Sequence, residues 1–111
     1  MNKRQLEQTN LSIAPLVLGS NVFGWTIDEQ ASFAVLDSFI EYGFNAIDTA
    51  DVYSAWIPGN CGGEAETIIG RWLKARPSVR DKVVIFTKVG GDLGRPGETG
   101  LSERWINKGV E

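Results

Sequence analysis

The chain has 111 residues, one cysteine and no histidine, with 42% apolar residues, 23% charged residues and a formal net charge of −3. That is room for one small domain with a single core, in the balance of an ordinary folded protein rather than a disordered one. An internal disulfide, a cysteine-rich zinc site and any triad or metal site built on a histidine of this chain are excluded, and the acidic balance argues against a nucleic-acid partner.

Residues 1–10 are polar and lack the apolar core of a signal peptide. No stretch nears the roughly 18–20 apolar residues of a membrane span. A cytoplasmic location is the expectation, and a single reduced thiol suits it.

Residues 3–6 and 11–13 predict two short extended pieces joined by Gln8-Thr9-Asn10, with the asparagine suited to a left-handed turn position. After Pro15, Leu16-Val17-Leu18-Gly19 reads as a parallel strand buried on both faces. Thr26 and Glu29 form a capping-box pattern before a helix with Phe33, Leu36, Phe39 and Ile40 on one stripe. Gly43 stands where a left-handed helix terminus is wanted.

The second strand covers residues 44–47 and ends at Asp48, and a long loop follows to about Gly62. Ala65, Ile68, Ile69, Trp72 and Leu73 repeat at i, i+3, i+4, i+7 and i+8, which predicts a second helix stopped by Pro77. Val83-Val84-Ile85-Phe86 is the third strand and ends at Thr87-Lys88. A glycine-rich loop from Gly90 to Gly100 leads to a helix capped by Ser102. The order, a hairpin and then β-α-β-α-β-α, predicts parallel strands joined by right-handed crossovers in a single domain over residues 1–111. Two α/β architectures fit: a doubly wound sheet, or the opening three units of a (β/α)8 barrel, which normally needs ~250 residues.

In both, ligands sit at the carboxyl ends of the strands. Those ends carry Gly19-Ser20-Asn21, Asp48-Thr49-Ala50 and Thr87-Lys88. Adjacent strands lie about 4.8 Å apart, so Asp48 and Lys88 can meet. Tyr53 follows Asp48 by five residues. An ammonium beside a phenol favours the phenolate, and a carboxylate keeps that ammonium charged and oriented. Such a tyrosine can give a proton to a carbonyl oxygen, or take it back in the reverse direction.

Asp48-Thr49-Ala50-Asp51-Val52-Tyr53 resembles the D-T-A-x-x-Y signature of the aldo-keto reductases. Ile85-Phe86-Thr87-Lys88 resembles that family's third strand with its catalytic lysine, and residues 18–24 and 63–73 resemble its first loop and second helix. The opening hairpin resembles the one that closes the family's barrel floor, so the likeness covers essentially the whole chain. It implies a TIM barrel of which this chain supplies the hairpin and three β/α units. It also implies reduction of aldehydes or ketones with NADPH, NADH being the alternative cofactor. Tyr53 is then the general acid, Lys88 the ammonium that tunes it and Asp48 the partner of the lysine. Ser20, Asn21 and Asp48 lie near the nicotinamide ribose, and Trp25 and Trp56 line the substrate mouth. Trp56-Ile57-Pro58-Gly59 resembles a bacterial branch of the family. The family's catalytic histidine, at the end of strand four, has no counterpart in these residues, nor do its grips on the nicotinamide amide and adenosine phosphate, so the 111 residues by themselves are expected to be incomplete for catalysis.

Each residue also has a plainer reading. Asp48 can cap backbone N–H groups, Lys88 can be a solvated charge, and Tyr53 a half-buried loop aromatic. Trp72 reads as core, and Trp105 as a residue packing the last helix onto the sheet. Cys61 reads as a spectator, with a reactive thiol at the mouth of the second helix as the alternative. Glu64 and Glu66 suit the positive end of that helix. No metal is expected. The competing function is a non-catalytic barrel piece that self-associates through its open edges.

Overall fold

A computed structural model of the chain describes residues 1–111. Strand β1 (Arg4–Gln5) pairs antiparallel with β2 (Ser12–Ile13). The hairpin is closed by the Leu6 N–H donating to the Leu11 carbonyl, and the Thr9 hydroxyl donates to the Leu6 carbonyl. The left-handed position of this turn falls on Glu7, with φ +46°, and not on the expected Asn10.

Strands β3 (Val17–Gly19), β4 (Ala46–Asp48) and β5 (Val84–Phe86) form a parallel sheet in that order. The register aligns Val17, Ala46 and Val84, then Leu18, Ile47 and Ile85, then Gly19, Asp48 and Phe86. Alternation sends the middle row to the opposite face from the other two. Ile47 belongs to the core, and Leu18 and Ile85 pack against it.

The core fills the space between this face and two helices, α1 (Glu29–Glu41) and α2 (Glu64–Ala75). It joins Leu36 and Phe39 of α1 to Ala65, Ile68, Ile69 and Trp72 of α2. The apolar stripes of the two helices therefore face the sheet as their periodicity requires. The other sheet face has no helix layer, and β3 is an edge. Leu16 is accordingly 50% exposed and Val17 43% exposed, so the expectation of a strand buried on both faces does not hold.

Helix α1 begins later than the Thr26 pattern suggests. Asp28 is the cap, and its carboxylate accepts from the Ala31 N–H at 2.8 Å. Ile27 is drawn into a bridge with Phe23, which keeps residues 23–27 out of the helix. Gly43 closes the far end with φ +89°. Helix α2 starts on Gly63, which has no capping side chain. Glu64 accepts from the N–H groups of Gly62 (2.8 Å) and Cys61 (3.2 Å), which fixes the loop that leads into the helix.

Pro77 ends the α2 region as expected, but it also opens a 3-10 turn, Pro77–Lys82, that periodicity did not signal. The last helix, α3 (Glu103–Val110), is capped by Ser102, whose hydroxyl oxygen accepts from the Trp105 N–H. Trp105 is buried but lies outside the core against the sheet, which corrects the expected packing. Helix α3 instead approaches the loop after β5, where a Cβ on Gly109 would stand 3.1 Å from Val89.

Asn45 joins the hairpin to the sheet. Its side-chain oxygen accepts from the Ala14 N–H at 2.9 Å and its amide donates to the Ser12 carbonyl at 3.0 Å.

Candidate active site

The strand ends are held in step beyond the sheet itself. The Ser20 N–H donates to the Asp48 carbonyl (2.9 Å), the Thr49 N–H to the Phe86 carbonyl (2.8 Å) and the Asp51 N–H to the Lys88 carbonyl (3.3 Å). These bonds extend the parallel ladder into the loops and set Asp48 beside Lys88.

Three side chains expected from the sequence meet here. The Lys88 ammonium donates to Asp48 Oδ1 at 2.7 Å and to the Thr49 carbonyl at 2.7 Å. The Tyr53 hydroxyl donates to Asp48 Oδ2 at 2.9 Å. The ammonium also stands over the Tyr53 ring, 4.8 Å from its centroid. Both carboxylate oxygens are thus engaged, one by each partner. The phenol meets the lysine across its ring face, while its hydroxyl is turned to the aspartate.

The electrostatics follow from these contacts. Desolvation acts to raise the Asp48 pKa, but the hydrogen bonds from Lys88 and Tyr53 and the lysine's charge outweigh it and hold the carboxyl below its ordinary value. Desolvation acts to lower the Lys88 pKa, and the Asp48 carboxylate, with the Tyr53 oxygen, raises it above the ordinary value. At neutral pH the pair is carboxylate and ammonium. Asp51 behaves in the opposite way: burial pushes its carboxyl up, only partly offset by the backbone N–H groups of Val52 and Asp51 itself.

Ser20 is fully buried, and its hydroxyl donates to the Asp48 carbonyl at 2.9 Å. It supports the strand end from beneath and presents no free surface to a ribose. Asn21 is exposed beside it. Trp25 and Trp56 come together from the two loops as an edge-to-face pair, with centroids 5.6 Å apart and planes at 88°. Each is 48% exposed. Cys61 is exposed, with its sulfur 3.7 Å from Glu64 Oε2.

The sequence reading missed four contributors. The Thr49 carbonyl gives Lys88 a second acceptor. Glu66, read as a helix-end charge, accepts from the Thr87 hydroxyl at 2.8 Å and ties β5's end to α2. Ser54 and Asn60 link the two loops. Only Glu66 carried a signal, through its place in the first turn of a helix that must pack beside the strand.

The sequence model of the aldo/keto reductase family matches residues 15–111. The chain is 63% identical over 93 residues to the uncharacterized 11.2 kDa protein in the crtE 3′ region of Pseudescherichia vulneris, covering 84% of this chain and 90% of that protein. It is 35% identical over 98 residues to the uncharacterized oxidoreductase YrpG of Bacillus subtilis (strain 168), covering 88% of this chain and 29% of that protein. Among solved structures it is similar to the aldo-keto reductase AKR11C1 from Bacillus halodurans (holo form). That match has a TM-score of 0.76 and 32% identity, over 99% of this chain and 34% of the other.

The chain belongs to the aldo/keto reductase family, a family of oxidoreductases. Its fold is the hairpin and first three β/α units of that family's TIM barrel, here with an open three-stranded sheet. It spans about a third of the length of YrpG and of the Bacillus halodurans structure, and nearly all of the short Pseudescherichia protein. No helix is long and apolar enough to cross a membrane.

Proposed function

We propose that this chain carries the proton-donating half of an NADPH-dependent carbonyl reductase, acting on an aldehyde or ketone. The observation that carries the reading is the Lys88–Asp48–Tyr53 unit at the strand ends, with one partner on each carboxylate oxygen. Lys88, fixed by Asp48 and the Thr49 carbonyl, keeps a positive charge against the Tyr53 ring. That charge is placed to offset the negative charge that develops at the tyrosine as its proton passes to the substrate. In the donating geometry the hydroxyl turns from Asp48 Oδ2 to the substrate's carbonyl oxygen, and Tyr53 is the general acid.

The bound NADPH would supply the hydride to the carbonyl carbon. Of the residues expected at its ribose, Asn21 and Asp48 have exposed surface, while Ser20 acts through the Asp48 backbone. This fits a polar sugar over the strand ends, and NADH would meet the same atoms. Trp25 and Trp56 offer apolar ring surface beside the Tyr53 loop, which suits the body of a carbonyl substrate. The cytoplasm is the proposed setting, since an exposed Cys61 persists as a thiol in a reducing compartment.

The exposed edge of β3, with Leu16 and Val17 in solvent, supports a second reading: self-association through open strands. Mass that rises with concentration would support it, and a monomer at high concentration would refute it. The reductase reading is tested by titrating the chain with NADPH through tryptophan quenching, and by Tyr53→Phe. With the remaining barrel units of a reductase relative joined to these residues, the expected result is saturable cofactor binding that Tyr53→Phe preserves, with carbonyl reduction lowered by ~100-fold or more. Full turnover in Tyr53→Phe would overturn the role of the tyrosine. No binding at millimolar cofactor would remove this chain by itself from catalysis.

A further inference from the structure

Loop 20–28 follows β3 and loop 49–63 follows β4, and one tie joins them. Ser54 is fully buried, and its hydroxyl donates to the Phe23 carbonyl at 2.7 Å, with the Asn21 carbonyl at 3.4 Å. The Asn60 amide nitrogen donates to the Gly24 carbonyl at 3.2 Å and to the Ser54 carbonyl at 2.8 Å. Both partners of Asn60 are acceptors, so only its NH2 can face them.

The positions of these residues in the chain give the tie its consequence. Phe23 and Gly24 directly precede Trp25. Ser54 and Asn60 stand on either side of Trp56, and Ser54 directly follows Tyr53. Ser54 has φ +66°, a left-handed backbone in which glycine is less strained. The turn therefore carries a cost that the buried hydroxyl offsets by reaching across to the other loop.

We propose that Ser54 and Asn60 are positioning residues: they fix the spacing of the two loops, and through it both the edge-to-face contact of Trp25 with Trp56 and the seat of the Tyr53 hydroxyl on Asp48. The clamp stands on geometry alone; its bearing on a substrate rests on the reductase reading.

The test is circular dichroism of the full chain. Two indoles with centroids 5.6 Å apart couple excitonically, and the coupling falls steeply with distance and orientation. Trp56→Phe identifies the couplet by removing it. Asn60→Asp is isosteric but has no donor for the two carbonyls at neutral pH. Ser54→Gly accepts the left-handed backbone and lacks the hydroxyl. Both variants are expected to lose the couplet while helical ellipticity and cooperative urea unfolding persist. In both, the Asp48 carboxyl, followed by NMR, is expected to titrate at higher pH as Tyr53 leaves it.

Folded variants with the native couplet and an unchanged Asp48 titration would overturn the proposal. Loss of cooperative unfolding in both would overturn it too, because the pair would then hold the whole fold rather than the two loops. Absence of carbonyl reduction when these residues are joined to the remaining barrel units would refute the reductase reading and leave the dichroism result standing.

Discussion

Asp48→Asn isolates the charge at the centre of the site. The substitution keeps the side chain's shape and one oxygen for Lys88, and its amide can donate to the Tyr53 oxygen. What disappears is the negative charge facing an ammonium at 2.7 Å. At an effective dielectric of about 20 the gross attraction is about 6 kcal/mol. The Lys88 side chain is 49% exposed and the Asp48 side chain 33%, so water recovers most of that on separation. Lys88 also keeps the Thr49 carbonyl as an acceptor. The net loss therefore falls near the upper end for exposed pairs, about 1 kcal/mol, or about 4 °C in Tm for a domain of this size.

The pH dependence gives this prediction its sign. Asp48 is lowered from 3.8 in the folded chain, so its contribution is present above that value and is lost as pH falls through the folded pKa. Lys88 is raised from 10.5, so its contribution is present below that value and is lost as pH rises through the folded pKa. The gap between native chain and variant should be widest near neutrality and close at both extremes. Asp37, also lowered, titrates in both proteins and cancels. Urea unfolding of the two proteins across pH measures the gap directly. A gap that is constant with pH, or absent at neutrality, would refute the reasoning.

Trp72→Phe should cost roughly 2–3 kcal/mol in urea unfolding. It opens space at a fully buried site and removes the indole's 2.8 Å bond to Asp37. Asn45→Ala should cost about 2 kcal/mol, because the buried Ala14 N–H loses its acceptor. Hydrogen exchange should then show the β1–β2 hairpin opening well before the parallel sheet, and uniform exchange across the two would count against it. Loss of reduction in Tyr53→Phe and loss of the indole couplet in Asn60→Asp complete the set.

Much of the architecture is written in local pattern. The i, i+3, i+4 stripe of α2 must face a core whichever sheet supplies it, and Ala65, Ile68, Ile69 and Trp72 are all buried. The apolar runs ending at Asp48 and Lys88 mark two parallel strands, and parallel strands bring their carboxyl ends to one edge. The meeting of Asp48, Tyr53 and Lys88 was legible for that reason. Helix starts were less so: Thr26 and Asp28 are both good caps, and the bridge between Phe23 and Ile27 decides for Asp28.

Contacts between distant loops leave no periodic trace. Nothing local says that Ser20 will support Asp48 across 28 positions, or that Ser54 will take a left-handed backbone and reach Phe23 across 31. Nor does spacing choose whether the Tyr53 hydroxyl turns to the ammonium or to the carboxylate. That choice follows from where the loops place the ring over Lys88. The sequence by itself determined the helices, the strand order along the chain and the identity of the site's charged residues, because burial and backbone geometry repeat at short range. Tertiary structure alone decided which oxygen faces which donor, and which face of the sheet stays open, because those depend on loops and layers that meet only after the chain has folded.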